Sequence, residues 1–179
     1  SFYRYLVCGE EKNMDMQEKN HDKMPDYLKK FLKEPPLLLR NFHYEDVLEF
    51  LQTGVEERYM AGDNIINESE NVNSAYLVAS GKVAIWKDGI QLATLSESNF
   101  LGEAFLFSKN SRMAKVTAET DTILLRYERY DALNFFRKKP EKLFNIFTKN
   151  IIEIQQRKIS NMNVQLLNLK KRLLNDNTW

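Results

Sequence analysis

The spacing of apolar residues changes twice along the chain, from helical to strand-like and back to helical. The segment PDYLKKFLKE, residues 25–34, has apolar residues one, three and four apart behind a proline, which predicts a short amphipathic helix. The segment YEDVLEFLQTG, residues 44–54, predicts a second short helix. This helix is expected to end at Gly54, because glycine is common just after a helix.

After Gly54 the apolar period becomes two, which is typical of half-buried strands. Seven short segments separated by turn residues follow this pattern: VEERYM, NIINE, SAYLVAS, KVAIWK, IQLATLSE, MAKVTAETD and TILLRYER. The pair Asp88-Gly89 predicts a two-residue hairpin between the fourth and fifth segments. Many short strands with no helix between them predict an antiparallel sandwich or a barrel-like roll.

Helical spacing returns from Tyr130. The segment DALNFFRKK predicts a helix of about two turns, Pro140 restarts the helix, and residues 141–175 contain no Gly or Pro. Along this last helix, residues alternately three and four apart form a heptad seam, which predicts a homodimer. Gln155, the polar residue of the seam, is expected to set the register of the two helices. The seam consists of Ile152, Gln155, Ile159, Met162, Leu166, Leu169 and Leu173.

These patterns predict an α+β fold: an antiparallel, jelly-roll-like β-roll with short N-terminal helices and a long C-terminal helix. The expected divisions are an N-terminal arm at residues 1–24, the roll with its flanking helices at 25–140, and a dimerisation helix at 141–179.

Composition narrows the function classes. The 26 basic and 25 acidic residues give a net charge of +1, which argues against a surface built to coat nucleic acid or an anionic membrane. One cysteine, Cys8, allows no internal disulfide, and His21 and His43 have no partner at metal-ligand spacing. No apolar run reaches the roughly 18–20 residues of a membrane span. We therefore expect a soluble, cytoplasmic protein without a metal site, and no group of residues indicates an enzyme.

The segment FLGEAFLFSKNSRMAKVTA, residues 100–118, departs from the strand pattern by placing Glu103 in an apolar run and Arg112 nine residues later. A carboxylate in an apolar segment needs donors, and Glu103 could accept a hydrogen bond from a ribose hydroxyl. Gly102 lets backbone N–H groups approach an anion, EAFLF can form one helical turn, and the guanidinium of Arg112 suits a phosphate. The segment alone fits equally well a sugar-phosphate site or a structural Glu103–Arg112 ion pair.

Other motifs occur in order around this segment. They are AGDNII from Ala61, YLVASGKVAI from Tyr76, and the helical stretch from Tyr130 to Pro140 before the long helix. With the Gly102-Glu103 pair and Arg112, they make the chain resemble the cyclic nucleotide-binding domain family, to which the catabolite activator protein and the regulatory subunits of protein kinase A belong. The resemblance covers about two-thirds of the chain, residues 36–159.

The resemblance implies a cyclic nucleotide ligand, with Glu103 binding the ribose and Arg112 the cyclic phosphate. The residues expected at the site, some of them through their backbone, are Gly102, Glu103, Ala104, Phe105, Arg112, Met113 and Ala114. Cyclic AMP is expected over cyclic GMP, because guanine-preferring members tend to have Thr or Ser at the position of Met113. DNA binding is not expected, because the family's transcription factors continue into a helix-turn-helix and this chain stops at Trp179.

Two departures from the family pattern support a second hypothesis. The first is the lack of glycines that the family often has, at Ser69 and between Ser96 and Asn99, and the second is the pair that follows Gly-Glu. The family usually has a large aliphatic residue and then a small one after Gly-Glu, whereas this chain has Ala104 and then Phe105. The phenylalanine leaves room for a phosphate only if its ring turns into the core. The sequence therefore leaves two functions open, a cyclic nucleotide sensor acting on an unidentified downstream partner and a ligand-free module for dimerisation and protein interaction.

Overall fold

The computed structural model of the protein describes residues 24–68, 73–107 and 114–176. Within these ranges the α-helices are α1 Asp26–Lys33, α2 Tyr44–Gln52, α3 Arg129–Arg137 and α4 Glu141–Asp176. The strands are β1 Val55–Tyr59, β2 Asn64–Ile66, β3 Ser74–Ser80, β4 Lys82–Lys87, β5 Ile90–Ser96, β6 Phe100–Leu101, β7 Lys115–Ala118 and β8 Thr122–Glu128. Short 3-10 helices lie at Leu37–Leu39 and Glu103–Leu106.

The strands form two four-stranded antiparallel sheets, in the orders β1-β8-β3-β6 and β2-β7-β4-β5. Alternating side chains from both sheets form a shared buried cluster, as expected for strands with one apolar face. The buried members of this cluster are Ile66, Tyr76, Val78, Val83, Leu101, Val116 and Leu124. The predicted roll is confirmed. All seven predicted strands are present in the described ranges, and the sequence pattern missed only the two-residue β6.

The hairpin predicted between β4 and β5 is confirmed. Asp88 and Gly89 both adopt positive φ, 51° and 77°, as the two central residues of a type I′ turn must. The twist of this turn matches the twist of the strands it joins, so a two-residue connection closes the hairpin at the Lys87–Ile90 pair, and the register shifts by one residue between Ile85 and Trp86.

A second core joins the helices to the first sheet. Phe50 of α2 stacks on Tyr127 of β8, with ring centroids 4.9 Å apart, and its edge contacts Phe135 of α3. Phe147 of α4 lies against Phe136 at 4.7 Å. Aromatic side chains bury large apolar areas, so this cluster attaches α2, α3 and the start of α4 to the roll.

Helix α4 has two halves in different environments. Leu143, Phe147 and Ile151 are buried, and the buried amide of Asn150 donates hydrogen bonds to the carbonyls of Leu38 and Arg40, at 3.0 and 2.8 Å. Residues 159–175 are all exposed. The first half is therefore a core element of the domain, and the second half extends away from it.

An ion pair strengthens the attachment of the first half. The guanidinium of Arg40 donates two hydrogen bonds to the carboxylate of Glu153, one turn beyond Asn150. These bonds hold the pKa of the Glu153 carboxyl below its usual value, with a smaller contribution from Arg157. The pair is surface-exposed, so its contribution to stability is small compared with that of the buried Asn150.

Replacing Asn150 tests this attachment. Asn150→Ala leaves two backbone carbonyls without their donor, so the free energy of unfolding is expected to fall by about 1–3 kcal/mol. The matched control is Asn145→Ala on the exposed face of the same helix, where the change is expected to be within about 0.5 kcal/mol. Urea unfolding measures both variants. Equal stability of the two would show that Asn150 does not hold α4 to the domain.

Candidate ligand-binding site

The site predicted from sequence begins where β6 ends. Leu101 of β6 pairs with Tyr76 of β3, and the next residue, Gly102, has φ of 70°. This left-handed conformation favours glycine and turns the chain into the 3-10 helix Glu103–Leu106. The N–H of Phe105 donates to the carbonyl of Gly102 at 2.9 Å, which closes the turn. The helical turn predicted for EAFLF is confirmed, in 3-10 form.

Glu103 is buried, with 2% of its surface exposed, and it contacts helix α4. The side-chain amide of Gln155 donates to Oε1 of Glu103 at 2.6 Å, and the ammonium of Lys158 lies 2.5 Å from the same oxygen. Gln155 and Lys158 are three residues apart, so they lie on one face of α4. Two side chains from the end of the first half of α4 therefore donate to one carboxylate oxygen.

These contacts explain how a carboxylate is tolerated in the apolar run. A buried carboxylate without donors costs several kcal/mol, and an amide together with an ammonium offsets much of that cost. The Lys158 side chain remains 43% exposed, whereas the Glu103 side chain is 3% exposed. The lysine thus reaches the buried group from the surface and stays partly hydrated.

Sequence reasoning did not identify this partnership. Gln155 was predicted to set the register of a dimer seam, and the structure gives its side chain a different partner within the same chain. Glu103 and its partners are more than 50 positions apart, so no local spacing could connect them. The sequence carries two separate signals, a glutamate in an apolar run that needs donors, and an amide and a lysine three residues apart on the long helix.

The ring of Phe105 is turned into the core. Phe105 is 6% exposed and belongs to the buried cluster that includes Phe50, Phe100 and Phe135. The condition that the sequence set for an open phosphate site is therefore met. The aromatic ring packs inside the domain.

The other predicted site residues are described only in part. Ala104 lies within the 3-10 helix, and Ala114 is half-buried immediately before β7. Arg112 and Met113 lie outside the described residues. The predicted partnership of Arg112, with a phosphate or with Glu103, stays a prediction.

Other parts of the described chain offer weaker candidates. Two open clefts of about 430 Å³ each lie beside Lys30 and Glu97, which pair with each other, and neither cleft is lined by a predicted site residue. Within residues 24–68, 73–107 and 114–176, no group of three His, Cys, Asp or Glu side chains is arranged to hold a metal ion. No helix in these ranges is both long and apolar enough to cross a membrane.

Residues 56–139 match the family model described as the cyclic nucleotide-binding domain. The chain carries a domain of the cyclic nucleotide-binding family. This match includes the turn at Gly102, the buried Glu103 and helix α3, and it confirms the resemblance stated from the sequence.

Among solved structures, the domain is similar to the catabolite activator protein of Thermus thermophilus, with 27% identity and a TM-score of 0.63 over 75% of this chain and 63% of that one. It is 33% identical over 93 residues to a cAMP-dependent protein kinase regulatory subunit of Hypocrea atroviridis, which covers 51% of this chain and 20% of the relative. It is 29% identical over 131 residues to the cGMP-dependent 3',5'-cGMP phosphodiesterase A of Dictyostelium discoideum, which covers 73% of this chain and 15% of the relative. The chain thus spans a fifth or less of the length of these two relatives.

The position of the Phe105 ring predicts a structural role for that side chain. Phe105→Ala should lower the free energy of unfolding by about 3–5 kcal/mol, because it removes a buried aromatic ring and leaves a cavity. Phe107→Ala is the matched control, since that ring is 51% exposed and should cost less than about 1 kcal/mol. Chemical denaturation compares the two. A Phe105→Ala protein as stable as the parent would place the ring outside the core.

Proposed function

We propose that this domain is a regulatory sensor that binds a 3′,5′-cyclic nucleotide and transmits its occupancy through helix α4. The supporting observation is the contact of Glu103, the residue expected to bind the ribose, with Gln155 and Lys158 of α4. A ligand shifts a conformational equilibrium only by its different affinity for the two states. A group shared between the ligand site and the helix supplies such a difference.

The roles of the site residues follow the family pattern. Glu103 accepts a hydrogen bond from the ribose 2′-hydroxyl, and Arg112 binds the cyclic phosphate through its guanidinium fork. Backbone N–H groups of the 3-10 helix add donors near the phosphate, and the inward ring of Phe105 keeps this approach open. The proposal assigns the chain binding and regulation, and no catalytic step.

We propose cyclic AMP as the preferred nucleotide. The named ligands of the relatives differ, since one is called cAMP-dependent and another cGMP-dependent, so they do not decide the choice. Met113 supports cyclic AMP, because it stands where guanine-preferring members tend to carry a hydroxyl. A site discriminates strongly only when it hydrogen-bonds the distinguishing group, so the preference should be modest.

The second candidate function is a ligand-free interaction module. One observation favours it, because Glu103 already has two donors from its own chain. In this case the carboxylate would serve only to attach α4 to the roll. Binding measurements separate the two functions.

Nucleotide binding is tested by thermal unfolding and by titration with cyclic AMP and cyclic GMP. The parent should be stabilised by both, and more by cyclic AMP, because a ligand that binds only the folded state raises its stability. Arg112→Ala should weaken cyclic AMP binding by roughly ten- to a hundredfold, the size of a hydrogen-bonded charge contact. Arg137→Ala, which removes an exposed arginine of α3, is the control and should bind like the parent.

Two results would contradict this proposal. Absence of any stabilisation of the parent by millimolar nucleotide would favour the ligand-free module. Tighter binding of cyclic GMP than of cyclic AMP would overturn the choice of nucleotide while leaving the sensor function in place.

We also propose that the exposed half of α4 pairs with a second copy of the chain. Five seam residues in this half are each more than half exposed: Ile159, Met162, Leu166, Leu169 and Leu173. An apolar stripe at heptad spacing on a helix that extends beyond its own domain suits a coiled coil. The sixth apolar seam residue, Ile152, is also exposed, but it lies in the half of α4 that is attached to the roll.

Charge placed on the seam tests the dimer. Leu166→Lys combined with Leu169→Lys should give a monomer in light scattering, because like charges at a and d positions face each other across a coiled coil. Val164→Lys combined with Leu167→Lys is the control, since both side chains are exposed and apolar but lie off the seam. An unchanged dimer in the seam variant, or a monomeric parent, would refute the seam as the interface.

A further inference from the structure

The hydroxyl of Tyr127 is a buried polar atom whose position the contacts of the domain leave unexplained. Tyr127 lies on β8 and is 1% exposed. Within residues 24–68, 73–107 and 114–176, its hydroxyl oxygen is fully buried and no hydrogen-bond partner reaches it. Nearly all buried side-chain polar atoms of folded proteins have such a partner. An exception in the core calls for a physical reason.

This hydroxyl lies where the helices meet the first sheet. Phe50 of α2 stacks on the Tyr127 ring, with centroids 4.9 Å apart, and Phe100 of β6 lies at 5.9 Å. After the end of α2, a Cβ at Gly54 would come within 2.9 Å of Cζ, the ring carbon that carries the hydroxyl. The polar end of the ring is therefore packed against the junction of α2 and β1.

The polar groups of this junction are bonded to one another. The hydroxyl of Thr53 donates to the carbonyl of Phe50 at 2.7 Å, and the N–H of Gly54 donates to the carbonyl of Leu51 at 3.2 Å. Burial raises the pKa of the Tyr127 phenol well above its usual value, so the hydroxyl stays uncharged. An uncharged hydroxyl that leaves water without gaining a partner lowers the stability of the folded state.

We propose that the Tyr127 hydroxyl is a destabilising group built into the contact between the helices and the roll, and that it makes α2 and α3 separate from the first sheet more readily. When these helices move away, water reaches the hydroxyl and the cost of its burial is recovered. The free energy of such a local opening is lower by that cost. This role belongs to the folded domain itself and does not depend on nucleotide binding.

The effect extends to the start of α4. Phe147 of α4 contacts Phe50 of α2 and Phe136 of α3, with centroids 5.9 and 4.7 Å apart. These three rings belong to the buried cluster that also contains Tyr127. An opening that hydrates the Tyr127 hydroxyl would therefore loosen the first half of α4 as well, whereas the buried cluster between the two sheets is a separate one.

The test removes one oxygen atom from the full chain. Tyr127→Phe keeps the ring and its packing, so the equilibrium constant for folding, measured by urea titration, should rise roughly five- to a hundredfold, the range for an unpaired buried polar group. Tyr59→Phe is the matched control on the same sheet, because the Tyr59 hydroxyl is partly buried and donates to Glu57 at 2.7 Å. Loss of that bond should lower the constant roughly two- to tenfold.

Hydrogen exchange locates the effect within the domain. Amides at 48–52 of α2 and 133–137 of α3 should exchange more slowly in Tyr127→Phe than in the parent, by a factor similar to the gain measured in urea. Tyr59→Phe should not slow the exchange of these amides.

Either of two results would overturn the proposed role. Equal or lower stability of Tyr127→Phe would show that the hydroxyl has a partner, such as a buried water molecule, and carries no cost. A gain in stability without slower exchange in α2 and α3 would show that these helices open while the hydroxyl stays buried, so that it does not ease their separation.

Discussion

The carboxylate of Glu103 is the group on which the arrangement of this domain depends. It is buried in an apolar turn, where it must be paired with donors, and those donors come from Gln155 and Lys158 on a helix more than 50 residues away. The need of this buried carboxylate for donors therefore connects the turn after β6 to the end of the first half of α4. Under the proposed function, the same carboxylate would also accept a hydrogen bond from the sugar of the nucleotide.

The two halves of α4 differ in how they are attached to the domain. The first half is a core element, since its aromatic and aliphatic side chains belong to the buried cluster with α2, α3 and the first sheet, and Asn150 donates to the backbone carbonyls of Leu38 and Arg40 at the end of the first 3-10 helix. The second half is exposed throughout residues 159–175. Under the proposed function, a helix that is firmly attached at one end and exposed at the other would transmit a small change at the junction over the roughly 25 Å of its exposed part. The contacts of Glu103 lie at that junction.

Phe105 shows how a departure from a family pattern can be absorbed by packing. After Gly-Glu this chain has a small residue and then a large one, the reverse of the family order. From sequence alone, the phenylalanine ring could have filled the space needed by a phosphate. The ring is accommodated in the aromatic cluster with Phe50 and Phe135, and the 3-10 helix still follows Gly102. In this domain the bulky side chain is therefore tolerated because the neighbouring core has room for its ring.

The sequence by itself determined the secondary structure and the class of fold. The change from period two to period 3.6, the Asp88-Gly89 turn and the glycine before Glu103 are local signals, and each acts on its own few residues through backbone conformation or the burial of one face. The short β6 was missed because two residues show no period. Tertiary structure decided which side chains meet Glu103 and which way the Phe105 ring turns. Both outcomes depend on how α4 and the aromatic cluster pack against the roll, and contacts between residues far apart in the chain leave no periodic pattern to read.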